Sequence, residues 1–365
     1  MNVKFFDIYK ATYSKNKIFN LIKKLIKNNN FIGGYEVNKF EDNFSKFLSI
    51  KNTITVGNGT DALEIAIKSL NLKEGSEVIV PVNTWISTAE AVVTNKLKLK
   101  FCDINLDDYT INIEDLKKKI NKKTKLIIPV HLYGNAADMS SINRLAKENN
   151  IYILEDCAQA HGTMFGGKTV GTFGDIATFS FFPGKNLGAF GDAGAIVTNN
   201  FKLSTYCHRY KNHGSLAKYD HRFSGRNSRL DTIQAAILDV KLSDYKKVIK
   251  KRRLLANIYY QELADLNDIK LFNIKKNNFS TYHQFVIRTS SRDELQRFLL
   301  KKGIQTMIHY PYMLNELSFF KKINSGKLIN SKNLGKKILS LPISEEHSIS
   351  EIFYICKIIK SFFNK

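Results

Sequence analysis

Val56-Gly57-Asn58-Gly59-Thr60-Asp61-Ala62-Leu63 joins a β-branched run, Thr53 to Val56, to an amphipathic one, Asp61 to Leu70, with only a Gly-rich turn between them. A strand that feeds directly into a helix is the building unit of a sheet covered by helices. The pattern repeats outward from here. Strands are predicted at Val78 to Val80, Leu99 to Cys102, Leu126 to Val130, Tyr152 to Leu154, Ile176 to Phe181 and Ala195 to Thr198, and helices at Thr88 to Thr94 and Met139 to Glu148. This alternation predicts an α/β fold with a mostly parallel sheet. After a helical run that starts near Asp231, the chain turns cationic at Lys250-Lys251-Arg252-Arg253 and polar at Lys275 to Ser280. We expect a domain boundary near residue 245. Residues 1–245 would hold an N-terminal helix, Ile18 to Ile26, and the large α/β domain; residues 246–365 would form a small C-terminal α+β domain. In the latter we expect a strand at Phe285 to Arg288, a capping box Ser291-Arg292-Asp293-Glu294 before a helix at Leu295 to Leu300, and a strand at Thr306 to Tyr310.

Composition narrows the function classes. A chain of 365 residues with 43% hydrophobic side chains can bury a sizeable core, which excludes a disordered protein. Its net charge of +23 suits nucleic acid, an anionic surface or a phosphorylated small molecule. The excess is carried mostly by Lys in scattered doublets such as Lys23-Lys24 and Lys301-Lys302, the pattern of solvated helix faces. With no recognition-helix motif and no basic-aromatic cluster, no nucleic-acid partner is expected. Cys102, Cys157, Cys207 and Cys356 lie far apart without a C-x-x-C pair, so reduced thiols and no metal site are expected. Charge interrupts the first residues, Met1 to Asp7, and no stretch approaches the roughly twenty apolar residues of a membrane span. The expected location is cytoplasmic.

Three segments carry chemistry. The helix start after Val56 offers free N–H groups, a positive dipole end and a Thr hydroxyl, a site for a phosphate. The plain alternative is a Gly turn with Thr60 or Asp61 as helix cap. Neither G-x-x-x-x-G-K-[ST] nor G-x-G-x-x-G is present, so a nucleoside triphosphatase or dinucleotide fold is not favoured. Ile151 to Leu154 leads into Glu155-Asp156, placing Asp156 at a strand end, where α/β sheets bind ligands; alone it could equally cap a turn. In Ser180-Phe181-Phe182-Pro183-Gly184-Lys185-Asn186-Leu187-Gly188, Lys185 stands on a Pro/Gly loop among apolar residues. Desolvation there can turn the amine into a nucleophile toward an aldehyde, although most loop lysines are solvated and inert. Together the three match the phosphate, ring nitrogen and aldehyde of pyridoxal 5′-phosphate. Trp85, after a strand in Pro81 to Ile86, adds a flat wall for the ring, or else a core residue.

At these residues the sequence resembles the DegT/DnrJ/EryC1/StrS family of pyridoxal-phosphate-dependent sugar aminotransferases. The resemblance runs from Phe31-Ile32-Gly33-Gly34 through Gly57 to Leu63, Pro129-Val130-His131-Leu132-Tyr133-Gly134, Glu155 to Gly162, Ser180 to Gly188 and Gly225-Arg226-Asn227-Ser228-Arg229-Leu230-Asp231 to His309-Tyr310-Pro311. It implies an aspartate-aminotransferase-type fold (fold type I). It implies that Lys185 binds the cofactor aldehyde and moves the proton, and that Asp156 faces the ring nitrogen. Trp85 would stack on the ring and Gln159 would lie beside its hydroxyl. Gly59, Thr60, Asp61 and Ser180 would cradle the phosphate, and Asn227 would reach the phosphate of the neighbouring subunit in a homodimer with a shared active site. Phe182, Arg229, His309 and Tyr310 would lie near the sugar.

The implied reaction carries an amino group from an amino acid, L-glutamate by family expectation, through pyridoxamine 5′-phosphate to a nucleotide-linked keto sugar. Lys185 argues against the dehydratase branch, in which histidine replaces the lysine. The stretch Val56 to Leu63 with Asn83-Thr84-Trp85 looks closest to members acting at C-3 of dTDP-linked 3-keto-6-deoxyhexoses, for deoxyamino sugars of surface glycans such as lipopolysaccharide. The alternatives are a C-4 aminotransferase on a 4-keto-6-deoxyhexose and a non-catalytic regulatory member. Phe182 stands where relatives often have Tyr, and Tyr312-Met313-Leu314 departs from the common stretch after His-Tyr-Pro.

Overall fold

The computed structural model describes residues 1–363. Seven strands form the large sheet: β1 (Asn52–Val56), β2 (Glu77–Pro81), β3 (Lys98–Cys102), β4 (Thr124–Ile127), β5 (Tyr152–Asp156), β6 (Ile176–Ser180) and β7 (Gly194–Thr198). Their spatial order is β1-β7-β6-β5-β4-β2-β3. All seven were expected, with ends differing by a few residues; the stretch expected to run to Val130 stops at Ile127. Only β7 runs against its neighbours, with Thr53 opposite Val197 and Phe179 opposite Ala195. Reversing that one strand leaves β1 parallel to the rest, so the loops leaving β1, β2, β5 and β6 emerge on the same edge. Such an edge is where open α/β sheets bind ligands.

Helices cover the sheet because the intervening segments carry apolar residues at helical spacing. Gly59–Ser69, for example, buries Ala62, Leu63, Ile65 and Ala66. Its cap differs from expectation. Asn58, not Thr60 or Asp61, stands at the helix entry with extended backbone, and its Oδ1 accepts the Asp61 N–H at 2.8 Å. The N-terminal helix spans Lys15–Lys27 and packs Ile18 against Ile237 and Val240.

The C-terminal part contains a three-stranded antiparallel sheet, Lys270–Leu271, Phe285–Arg288 and Ile338–Leu341, with helices Arg292–Lys301 and Ile349–Phe363. Two expectations fail here. Ser291 makes no capping hydrogen bond, because its backbone (φ −93°, ψ 34°) is not in the extended conformation that aims a cap side chain at the first turn. Thr306 to Tyr310 forms no strand either; it joins the sheet through one bridge, Met307 to Ser340. The His309 carbonyl that a longer ladder would use accepts the Tyr133 hydroxyl instead.

The change of character near residue 245 falls inside a helix. Thr232–Leu263 is one helix of 32 residues passing through that position. The first residues of the chain also pack on the C-terminal part, with Val3 bridging Ile304 and the Asp7 N–H donating to Glu346.

The cationic run on this helix is only partly a surface feature. Arg252 is fully buried: its Nε donates to Glu345 at 2.9 Å, and its Nη1 to the Ile343 and Tyr282 carbonyls at 2.9 and 3.2 Å. This ties the segment after Ile338–Leu341 to the helix that crosses both parts. Removing one member of such a pair leaves a buried charge alone, at a cost of about 3–5 kcal/mol. Arg252→Met is therefore expected to lower the urea midpoint of the cofactor-loaded protein strongly. Adding Glu345→Gln should restore part of the loss.

Candidate active site

At the end of β5 the backbone of Asp156 is held from both sides. Its N–H donates to the Pro129 carbonyl at 2.9 Å, its carbonyl accepts the His131 N–H at 3.0 Å, and the Cys157 N–H reaches the Thr178 carbonyl at 2.9 Å. The side chain is buried; Oδ2 accepts the Thr88 hydroxyl at 2.8 Å and Oδ1 the Ala158 N–H at 3.1 Å. Burial pushes the carboxyl upward despite these two donors and the Lys185 charge.

Behind it, Glu155 accepts from the N–H groups of Gly171, Phe173 and Gly174 at 2.7–2.8 Å and from His131 Nε2 at 3.0 Å. Burial alone would raise this carboxyl, but His131 and the glycine N–H groups hold it below the usual range. His131 Nδ1 accepts the Ala137 N–H at 3.1 Å, so both ring nitrogens are engaged. Although His131, Glu155 and Cys157 lie close together, the histidine has no lone pair left for an ion.

Lys185 sits on a loop closed on itself. The Ala189 N–H returns to the Phe181 carbonyl and the Lys185 N–H to the Phe182 carbonyl, both at 2.8 Å. Three side chains outside the loop fix it: Lys241 Nζ donates to the Gly188 carbonyl at 2.6 Å, Gln234 Oε1 accepts the Phe190 N–H at 2.8 Å, and His283 Nδ1 lies 3.0 Å from Asn186 Oδ1. Among the described residues no hydrogen bond or ion pair engages Lys185 Nζ. Desolvation pushes its amine down to about 8, against the attraction of Asp156.

The helix start Gly59–Ser69 faces the end of β6. A Cβ on Gly59 would come within 2.8 Å of Ser180 Cβ, so only glycine lets the two backbones approach. The Thr60 hydroxyl lies 2.7 Å from Ser87 Oγ. The Gly59 and Thr60 N–H groups have no intrahelical acceptor, as at any helix start. Asp61 departs from its expected place as a phosphate ligand. Its N–H is taken by Asn58, and its carboxylate accepts from Arg226 and Ser228, each at 2.7 Å. It has no donor to offer a phosphate.

The remaining residues fall into two groups. Gln159 accepts the Tyr133 N–H at 2.8 Å and donates to the Tyr310 hydroxyl at 3.0 Å, and the Trp85 ring, 57% exposed, lies 5.6 Å from that of Tyr310. His309 Nδ1 lies 2.9 Å from the Ser340 hydroxyl, and burial pushes the imidazole down to about 4, with Lys185 acting the same way. These four are therefore joined to the Asp156–Lys185 centre. Asn227 and Arg229 are not: both are exposed, and Arg229 Nε donates to Asn227 Oδ1 at 2.9 Å. Phe182, 55% exposed, carries no polar atom to the mouth of the loop.

Sequence reasoning missed Thr88, Tyr133, Asn186 and Ser87 as supports. Thr88 lies one turn beyond Trp85, and Tyr133 stands in the left-handed region (φ 59°) within the stretch Pro129 to Gly134.

The donor set fits pyridoxal phosphate. A desolvated amine and a buried carboxylate, neither with a salt-bridge partner among the described residues, and a glycine-lined helix start lie on one sheet edge. The cofactor supplies an aldehyde and an electron-accepting ring. Lys185, its amine lowered to about 8, could bind that aldehyde and accept a proton; Asp156 could hold a proton on the ring nitrogen, which would also give its carboxylate a counter-charge. Acylation of Lys185 in the cofactor-free protein, followed by peptide mass spectrometry, should rise with pH around a midpoint near 8 rather than the ordinary 10.5. Because Asp156 favours the charged amine, Asp156→Asn should move that midpoint lower still.

Known proteins resemble this chain over nearly its whole length. Residues 12–360 match the model of the DegT/DnrJ/EryC1/StrS aminotransferase family. A dTDP-3-amino-3,6-dideoxy-alpha-D-galactopyranose transaminase of Aneurinibacillus thermoaerophilus is 38% identical over 341 residues, covering 93% of this chain and 94% of that one. Among solved structures, DesV of S. venezuelae superposes with a TM-score of 0.97 at 33% identity, covering 100% of this chain and 99% of that one. NtdA of Bacillus subtilis, solved with the bound cofactor PMP, gives 0.93 at 28%, covering 100% and 86%. The fold is that of the aspartate aminotransferase type, and the chain belongs to the DegT/DnrJ/EryC1/StrS aminotransferase family as a pyridoxal-phosphate-dependent sugar-nucleotide aminotransferase.

Proposed function

We propose that the protein transfers the amino group of L-glutamate to C-3 of a dTDP-linked 3-keto-6-deoxyhexose, in the synthesis of deoxyamino sugars for surface glycans. The observation that carries this reading is the likeness, over nearly the whole chain, to a transaminase whose name specifies a dTDP-linked 3-amino-3,6-dideoxy sugar. The bare ring of Phe182 supports it, since an apolar face suits a sugar whose C-6 is a methyl group. The net charge of +23 is compatible with a diphosphate substrate.

In this reading Lys185 binds the cofactor aldehyde and carries the proton between donor and cofactor carbon. Asp156 keeps the ring nitrogen protonated, and Thr88 keeps the carboxylate in place. Trp85 covers the ring, and Gln159, braced by Tyr133 and Tyr310, meets its hydroxyl. Gly59, Thr60 and Ser180 hold the phosphate. His309, Tyr310 and Phe182 line the sugar side, and Arg229, bonded to Asn227, meets the sugar from the other subunit. The working unit is a cytoplasmic homodimer in which Asn227 crosses to the other subunit's site. Its exposure, and an Nδ2 that has no partner among the described residues, support that reach.

Cofactor-loaded protein, L-glutamate and either a 3-keto or a 4-keto dTDP-6-deoxyhexose should yield an amine that NMR locates at C-3. An amine at C-4 overturns the regiochemistry. Lys185→Ala should abolish turnover in the same assay, and a variant with full turnover would refute the assigned role.

A further inference from the structure

The residues on either side of Asn227 are tied to a single carboxylate. Arg226 Nη1 lies 2.7 Å from Asp61 Oδ1, and the Ser228 hydroxyl donates to Asp61 Oδ2 at 2.7 Å. Ser228 Oγ also accepts the Gly57 N–H at 3.0 Å, and Arg226 reaches Glu64, three residues further along the same helix, at 2.5 Å. The backbone is pinned as well. The Arg226 N–H donates to the Tyr210 carbonyl at 2.7 Å and the Ser228 N–H to the Lys211 carbonyl at 2.9 Å, while Asn227 bridges Asn212 in antiparallel fashion.

In a bridged, extended segment successive side chains alternate between faces. With Arg226 and Ser228 both drawn to Asp61, Asn227 is left on the opposite face, where it is exposed. Asp61 itself cannot serve a phosphate. A carboxylate only accepts hydrogen bonds, and its N–H is already given to Asn58.

We propose that Asp61 is a positioning residue that aims Asn227, through Arg226 and Ser228, at the cofactor phosphate of the neighbouring subunit, and that it does not bind the phosphate of its own. The proposal rests on the shared-site reading above. It makes the effect of Asp61 appear in the other subunit.

Mixed dimers separate the two possibilities, because borohydride fixes bound cofactor only to a chain that carries Lys185. Peptide mass spectrometry then reports retention at one identified site, independent of turnover. In a dimer of Asp61→Asn with Lys185→Ala, the labelled site belongs to the Asp61→Asn chain but is served by an intact partner arm. Retention at limiting cofactor should match wild type. In a dimer of wild type with the Asp61→Asn/Lys185→Ala double variant, the labelled site is wild type but is served by the altered arm. The cofactor concentration for half-labelling should rise by about tenfold, the scale of a lost charge-assisted hydrogen bond.

The reverse pattern, or no change in either mixture, overturns the proposal. Asn227→Ala placed in the same two mixtures tests the shared site by itself: if its loss follows the Lys185-bearing chain, the shared-site reading fails, whatever Asp61 does. If Asp61→Asn chains do not fold, Ser228→Ala removes one arm of the same clamp, and the same pattern is expected of it.

Discussion

An amine and a carboxylate of opposite charge, both taken out of water and neither given a salt-bridge partner among the described residues, are the constraint around which the molecule is organised. Burial drives Lys185 down and Asp156 up, although each favours the charged form of the other. Desolvation without pairing costs free energy, and the surrounding packing must supply it. A cationic ring nitrogen placed beside Asp156, as proposed, would offset part of that cost and so favour cofactor binding.

Holding these two groups requires rigid backbone on both sides, and the fold supplies it by convergence. Asp156 is clasped between the segments at residues 129–131 and β6. Lys185 is carried by a loop that the 32-residue helix restrains through Gln234 and Lys241. The reversed direction of β7 lets β1 lie parallel to β5 and β6, which brings the helix start at Gly59 to the same edge. Glu155, one residue before Asp156, points its carboxylate into a cage of three N–H groups and His131. The neighbouring acids are therefore held differently, Glu155 caged by four donors and Asp156 by the Thr88 hydroxyl and the Ala158 N–H.

The C-terminal part is tied to the centre at Asn186, which meets Thr281 and His283, and at Tyr133. Tyr133 in the large unit holds the His309 carbonyl by its hydroxyl and Gln159 by its N–H. A single residue thus aligns groups from both parts of the chain. The segment that carries His309 and Tyr310 gives up its strand pairing for these bonds. The buried Arg252–Glu345 pair acts in the same direction, fastening the C-terminal sheet to the helix that crosses both parts.

The sequence by itself determined the alternation of strand and helix, and hence the seven-stranded α/β unit, because side-chain periodicity is a local property. It also marked three segments, those of Lys185, Asp156 and the glycine-rich helix start, each following a strand and so carried to one sheet edge. Tertiary structure decided what depends on residues far apart in the chain. Asp61 looks like a helix-start ligand until Arg226 and Ser228, more than 160 positions away, take its carboxylate. Thr88, Tyr133 and Asn186 are ordinary residues until the fold sets them against Asp156, Gln159 and His283. The cationic run at Arg252 reads as surface until Glu345 folds over it. Local pattern fixes which backbone forms; only packing decides which partner a polar group meets, and that meeting sets what the group can do.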